Sequence, residues 1–357
     1  MSSDHFSEQV GEQSGFRNHR ESVRRKIGFL VGTTVLLGIL WVVGVAVGSV
    51  SYPLGDVVAA LVRDGPESRQ LAIWHVRIPR VLAATLAGGG LAVAGAAMQS
   101  VLRNPLGAPF TLGISHAAAF GAAVTIAFGG FGVSAEFLTL SVQTIGAFVG
   151  AMTATVAILL LVTYREATPE TLILTGVAIG SLFNAGLALI QYFATDTEVA
   201  EIVYWTFGDV SRAAWDEIGF MFAIFVLGLG YFVYNGWNYD VLDAGTETAL
   251  TLGVNVESLR IRGMAIASLV TAVMISFVGI IGFVGLVAPH IVRMVIGGTE
   301  RYLLPASALV GAALLVAADT FARTIVAPIV LPVGIVTSFL GAPLFLYLTV
   351  EGKDYWR

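Results

Sequence analysis

Residues 263–292 read GMAIASLVTAVMISFVGIIGFVGLVAPHIV, an unbroken run without Asp, Glu, Lys or Arg. The run does not alternate polar with apolar residues, so it is not a barrel strand. A helix crosses a bilayer with about 20 apolar residues, and this run is too long for one crossing. Pro289 and several glycines fall in its second half. It therefore divides into a full helix over about 259–283 and a short return helix over about 286–297.

Moving outward, uncharged stretches recur at 27–55, 81–102, 104–135, 137–164, 171–195, 218–239, 302–318 and 324–350. With the divided run they predict an all-α polytopic membrane protein of about ten transmembrane helices. An even number places both termini on one side. Composition agrees. The 357 residues are 56% hydrophobic and only 12% charged, against about 25% charged in soluble domains. That share cannot clothe a water-soluble globule of this size. It also excludes a disordered chain, a coiled coil and a nucleic-acid binder. The chain has no cysteine, which removes thiol chemistry and disulfides.

Residues 1–26 are polar and carry Arg17, Arg20, Arg24, Arg25 and Lys26. They are too long and lack the cleavage pattern for a secretory signal, and read as a disordered cytoplasmic tail. Residues 27–350 form one transmembrane domain, and 351–357 a second short tail. With the N-terminus inside, 13 of the Lys and Arg residues fall on the inner side and 6 on the outer. Basic loops favour the cytoplasm, so both termini are expected there. The outer loop 196–217 is acidic and reads as solvated. The spacing Gly95-x6-Leu102-x2-Pro105 recurs as Gly279-x6-Leu286-x2-Pro289. It hints at a weak inverted repeat of helices 2–5 and 7–10, common in transporters.

Missing chemistry is as informative. A P-loop needs Gly-x4-Gly-Lys-Ser/Thr, but Lys26 and Lys353 are followed by Ile27 and Asp354. Any ATP is therefore used by another polypeptide, and this chain is not an enzyme. The five histidines show no metal-ligand spacing, so no cofactor or metal is expected; His116 and His290 are expected to pack. Asp319 and Arg323 lie four apart and suit an ion pair at a helix end. Gly88–Gly90, Gly146-x3-Gly150 and Gly176-x3-Gly180 suit close helix packing within the subunit. The helix 171–195 carries Asn184, Gln191 and Tyr192, which fit either a water-accessible pathway or a buried polar contact.

The inner loop 240–262 is structured. Gly245 to Leu252 suits a short helix that Gly253 ends; Asn255 then caps the next helix, with Glu257 in its first turn. Its apolar residues, among them Leu250, Leu252 and Val254, either pack on the helix ends or dock on a partner.

Five stretches together carry a family resemblance: Arg77-Ile-Pro-Arg80, Gly95 to Gly107 (GAAMQSVLRNPLG), Leu112-Gly-Ile-Ser115, Phe283 to Arg293 (FVGLVAPHIVR), and Leu331-Pro-Val-Gly334 with Gly341-Ala-Pro343. The chain resembles the FecCD-type permease subunits of binding-protein-dependent ABC importers for iron-siderophores, haem and cobalamin, most nearly the cobalamin permeases. The resemblance covers about residues 30–350. It implies a permease in the cell membrane among lipid, working with a second permease chain, expected to be an identical copy. Two cytoplasmic ATPase subunits and an external solute-binding protein complete the assembly. It also implies a cytoplasmic gate at Asn104, Pro105 and Leu106 with Thr168 and Pro169, the last standing where the family has a small hydroxyl residue. Arg77, Arg80 and Arg323 match arginines that receive the binding protein. Residues 240–259, with Gly245, Leu250, Leu252, Gly253, Val254 and Asn255, match the ATPase dock. Cobalamin is the preferred solute, because the helix 171–195 has no Arg or Lys to hold an anionic chelate. The alternative class is an ion-coupled secondary transporter or channel, which needs no ATPase partner.

Overall fold

The computed structural model describes the backbone of residues 3–129, 141–165 and 169–351, and the side chains of 20–129, 141–161 and 171–347. Its elements run α1 (Ser3–Ala46), α2 (Leu54–Leu61), α3 (Glu67–Leu71), a π-helical turn (Ala72–Arg77), α4 (Ile78–Leu102), α5 (Ile114–Ala127), α6 (Val142–Arg165), α7 (Pro169–Phe193), α8 (Asp196–Thr206), a 3-10 turn (Val210–Arg212), α9 (Trp215–Tyr234), α10 (Gly236–Asp243), α11 (Thr246–Thr251), α12 (Val256–Val278), α13 (Val284–Ile296), α14 (Glu300–Ala322) and α15 (Val333–Glu351). Among the described residues there is no strand. Seven helices are long and apolar enough to span a membrane: α1, α3–α4 as one piece, α6, α7, α9, α12 and α14. The shorter apolar helices α5, α13 and α15 bring the set to the expected ten.

The run 263–292 divides as expected, with shifted boundaries. α12 stops at Gly279, whose φ of 77° suits glycine. α13 starts after Phe283, which is itself left-handed at φ 66°. Pro289 does not break α13 but sits inside it. Lacking an N–H, it leaves the carbonyl of Gly285 without its helical partner. Gln99 of α4 donates its Nε2–H to that carbonyl at 3.4 Å. The approach is possible because a Cβ on Gly95 would lie 2.0 Å from the same oxygen.

Residues 3–26, expected as a disordered tail, lie within α1 (Ser3–Ala46). The first proline is Pro53, so nothing breaks the helix, and extending one that already exists avoids a new nucleation cost. The outer loop 196–217 holds α8. It opens on a capping box, in which the Thr195 hydroxyl accepts from the Glu198 N–H and the Glu198 carboxylate from the Thr195 N–H.

α4 lies at the centre; 89% of its apolar window is buried. Its neighbours are α9, α12, α13 and α14. Small residues permit these contacts, as they must where no hydrophobic effect drives helix pairing. Gly88 meets Gly311 of α14, and Gly90 meets Met274 of α12. Gly146 and Gly150 of α6 pack on Gly121 and Ala117 of α5, while Gly176 and Gly180 of α7 pack on Gly113. These glycine pairs thus pack within the subunit.

The inverted repeat shows in the packing, not in the Gly–Leu–Pro spacing. Gly95 is mid-helix whereas Gly279 ends one, and Pro105 is in a loop whereas Pro289 is in a helix. The true correspondence pairs α4–α7 with α12–α15. α4 packs on α14 as α12 packs on α6; α5 on α6 as α13 on α14; α5 on α7 as α13 on α15; α4 on α13 as α12 on α5. In both halves the second helix is short and is entered through a left-handed residue, Gly113 or Phe283. The two ends of the bundle also sort as the charge pattern implied. Lys26 bonds Thr299 at 2.7 Å and Arg103 bonds the Asp243 carbonyl at 3.2 Å at one end. Arg77 and Arg323 meet the end of α1 at the other.

Candidate functional site: a buried arginine cluster, a loop after α4 and an exposed apolar face

The π-helical turn ends on Arg77, and Arg80 follows in the first turn of α4. Pro79 donates no hydrogen bond. The carbonyl of Trp74, five residues back, instead accepts the Trp215 indole N–H at 2.9 Å. The last carbonyls of α1 have no helical partners, and arginines supply donors. Arg77 Nη1 donates to Val45 O at 2.7 Å and Ala46 O at 2.8 Å, and its Nη2 to Val50 O. Arg323 Nη2 donates to Gly44 O at 3.0 Å, and Nη1 to Val47 O at 3.1 Å. Positive charge also suits the negative end of the helix dipole. Asp319 binds the two remaining guanidinium edges, Arg80 Nη2 at 2.9 Å and Arg323 Nε at 3.0 Å. The expected Asp319–Arg323 pair is present, but it is buried rather than superficial. Arg77, Arg80 and Arg323 are 8%, 7% and 5% exposed. Arg77, Arg80 and Arg323, expected to receive a binding protein, are thus each bonded within the chain: Arg77 and Arg323 to the end of α1, and Arg80 and Arg323 to Asp319.

The loop after α4 is self-contained. Arg103 turns the chain left-handed at φ 46°, and the Asn104 N–H closes on the Gln99 carbonyl at 3.0 Å. The Asn104 side chain accepts the Leu106 N–H at 2.8 Å, and the Gly107 N–H bonds the Asn104 carbonyl at 3.0 Å. Thr111 Oγ1 ties both Leu106 O and Ala108 O at 2.8 and 2.9 Å. An Asx turn thus holds Pro105 and presents Leu106, which is 42% exposed. Beside it, the Phe110 and His116 rings lie 5.1 Å apart. Of the other half of the expected gate, Thr168 lies outside the described residues, and Pro169 is the first residue of α7.

Residues 245–259 fold as the sequence indicated, after a helix, α10, that it did not indicate. Gly245 (φ 131°) precedes α11, and Gly253 (φ 82°) follows it. The Gly253 N–H bonds Leu250 O and the Val254 N–H bonds Ala249 O, at 3.0 and 2.9 Å, the glycine-dependent ending of a helix. Asn255 Oδ1 caps α12 by accepting the Ser258 N–H at 2.9 Å. The apolar residues divide. Val254 and Ala249 are buried, whereas Leu250 and Leu252 are 60% and 55% exposed. Leu252, with exposed Trp237 and Tyr234, lines a groove together with Tyr231, Asn235, Gly253 and Arg262. Beneath it, Tyr239 is fully buried, and burial raises its pKa. Burial also raises that of Asp240, against the opposing effect of backbone N–H groups at Glu300 and Arg301. Three residues that the sequence did not mark for function lie between this face and the loop: Gln99, Arg293 and Glu300. Gln99 and Arg293 belong to the motifs quoted above, but no pattern singles out Glu300.

Comparison with known proteins agrees with the fold. A protein of Methanocaldococcus jannaschii named as a candidate ABC transporter permease is 53% identical over 92% of this chain and 95% of its own. The cobalamin import system permease protein of Halobacterium salinarum is 39% identical over 79% of this chain and 74% of its own. A solved chain described as an inward-facing conformation of a candidate metal-chelate type ABC transporter superposes with a TM-score of 0.79. It is 30% identical and covers 90% of this chain and 98% of that one. The relatives are named as ABC transporter permease proteins, and this chain, with its seven apolar spans among the described residues, is a multi-pass protein of the plasma membrane. The profile of the FecCD transport family matches residues 36–351, and this chain belongs to that family.

Proposed function

We propose that the protein is the permease subunit of a binding-protein-dependent ABC importer and forms part of the path for a cobalamin or a metal chelate. One observation carries this: a folded segment exposes Leu250 and Leu252, the latter lining a groove, in a chain with no P-loop of its own. Exposed apolar residues on an ordered helix end suit a helix-in-groove contact with a separate ATPase. That end of the bundle, with both termini, faces the cytoplasm. A second copy covers α7, whose described face exposes Asn184 between Leu182 and Leu189; an amide facing lipid would be costly. The absence of Lys and Arg from residues 171–195 favours cobalamin over an anionic siderophore, and the names of the relatives allow either class. Two ATPase subunits and an external binding protein complete the machine, and lipid covers the rest of the apolar surface.

The test is uptake by vesicles that hold this chain with its partner ATPase and binding protein. ATP-dependent, vanadate-sensitive accumulation of the solute that the binding protein carries is expected. Accumulation driven by an ion gradient without the ATPase would make the protein a secondary transporter instead.

A further inference from the structure

We infer that Gln99, Arg293 and Glu300 form a polar relay that carries movement of the α10–α11 face to the loop after α4. The inference rests on the importer reading above. Four elements meet here. Asp240 of α10 accepts the Glu300 N–H at 2.5 Å and so caps the start of α14 from outside. The Glu300 carboxylate, in a residue 2% exposed, lies 3.5 Å from Arg293 Nη2 of α13. Arg293 Nη1 donates to Gln99 Oε1 of α4. Gln99 is itself the carbonyl on which the Asn104 N–H closes. A second, shorter link runs in parallel: Arg103, the residue before Asn104, donates to the Asp243 carbonyl at the end of α10 at 3.2 Å.

The composition of this path argues for transmission over mere cohesion. A buried ion pair contributes little net stability compared with apolar residues of the same size, and α13 already packs closely on α4 through Gly285 and Gly95. Directional bonds instead fix relative positions. A displacement of α10 pulls on Asp240 and Asp243 together, and both links end at one point, the left-handed turn at Arg103 and Asn104. Gln99 is bonded at three places, to Arg293, to Gly285 and to Asn104, so it cannot shift without moving that turn. Spatial connection alone is not coupling, so the test must read the loop itself.

The chain has no native cysteine, so Leu106→Cys carries a single reporter label. The labelled permease is assembled with its ATPase and binding protein in vesicles. Its response to ATP with vanadate is compared with that of the doubly neutral variant Arg293→Met/Glu300→Gln. The wild-type background should show a nucleotide-dependent change in label accessibility. The double variant should keep its thermal midpoint, its ATPase subunits and ATP hydrolysis, but lose the label response and at least tenfold of solute moved per ATP. A folded double variant with wild-type label response and uptake overturns the relay. If the double variant does not fold, Gln99→Met tests the same path, since it removes the side-chain bonds to Arg293 and Gly285. It should lose the label response and lower uptake per ATP several-fold, and a folded Gln99→Met with unchanged label response and uptake overturns the relay. A wild-type label that ignores nucleotide while uptake proceeds overturns the relay alone. A wild type that binds no ATPase overturns the importer reading, and the relay with it.

Discussion

Gly95 and Gly285 face each other so closely that a methyl group on Gly95 would lie 2.0 Å from the Gly285 carbonyl oxygen. No side-chain adjustment relieves that clash, because the neighbour is backbone. Gly95→Ala must therefore push α13 from α4 and loosen the Gln99 bond to the same oxygen. Overpacking of a tight core costs about 1–3 kcal/mol. Gly230→Ala, at a helical site with nothing within 4 Å, should instead be neutral or stabilising by about 0.5–1 kcal/mol. Thermal unfolding in detergent separates the two, and equal midpoints would show that the contact is looser than the geometry indicates.

Asp319 is the sole carboxylate within 3.0 Å of the buried guanidinium groups of Arg80 and Arg323 among the described residues. Removing it leaves Arg323 with no acidic partner among the described residues, and Arg80 with Asp209 alone, at 3.6 Å. Loss of one side of a buried pair costs about 3–5 kcal/mol, so Asp319→Ala should sharply lower the midpoint. Asp319→Ala/Arg323→Met removes one of the stranded charges and should recover part of the loss. A double variant no better than the single would mean that the carbonyl contacts at α1 matter more than the charge.

The helices were legible because charge is expelled from hydrocarbon, so ten apolar segments stand out of the chain without any periodicity. Their ends were less so. Nothing in the sequence shows that Phe283 adopts a positive φ, and the boundary moved accordingly. α8 carried a readable signal, the Thr195-x-x-Glu198 capping box. The burial of the three arginines was not legible, because Arg near a helix end normally lies at the interface. What reverses this is a set of unpaired carbonyls on α1 and one distant aspartate, neither of which leaves a local pattern. The turns around α11 read well because neighbouring residues, Gly253 and Asn255, set them. The relay read poorly because it joins positions 99, 240, 293 and 300.

Asp240 predicts a pH dependence. Burial raises its folded pKa above the ordinary carboxylate value, despite the α14 N–H groups it accepts. The folded state then holds its proton more tightly than the unfolded state, so stability falls as pH rises from the ordinary carboxylate pKa through the raised one. Asp240→Asn retains an acceptor oxygen without the titration. The midpoint of the native chain should fall relative to that of Asp240→Asn across this acid range and run parallel above it. A constant difference at all pH values would show that Asp240 does not titrate abnormally.

The apolar residues of the loop separate folding from docking. Val254 is 8% exposed and Leu250 is 60% exposed, although they stand four positions apart. Glutamate at Val254 buries a charge within the chain itself, where no partner awaits it, and burial of an unpaired charge is costly. Val254→Glu should therefore lower the midpoint and yield of the isolated permease. Glutamate at Leu250 meets water until a partner arrives. Leu250→Glu should leave the isolated permease with its native midpoint, yet abolish ATPase co-purification and ATP-driven uptake, because the charge is desolvated only on docking. Leu252→Glu should follow Leu250→Glu. The decisive comparison is made before any partner is added: loss of stability in Leu250→Glu would place that leucine among the chain's own packing residues, and full ATPase binding by the variant would remove it from the docking face.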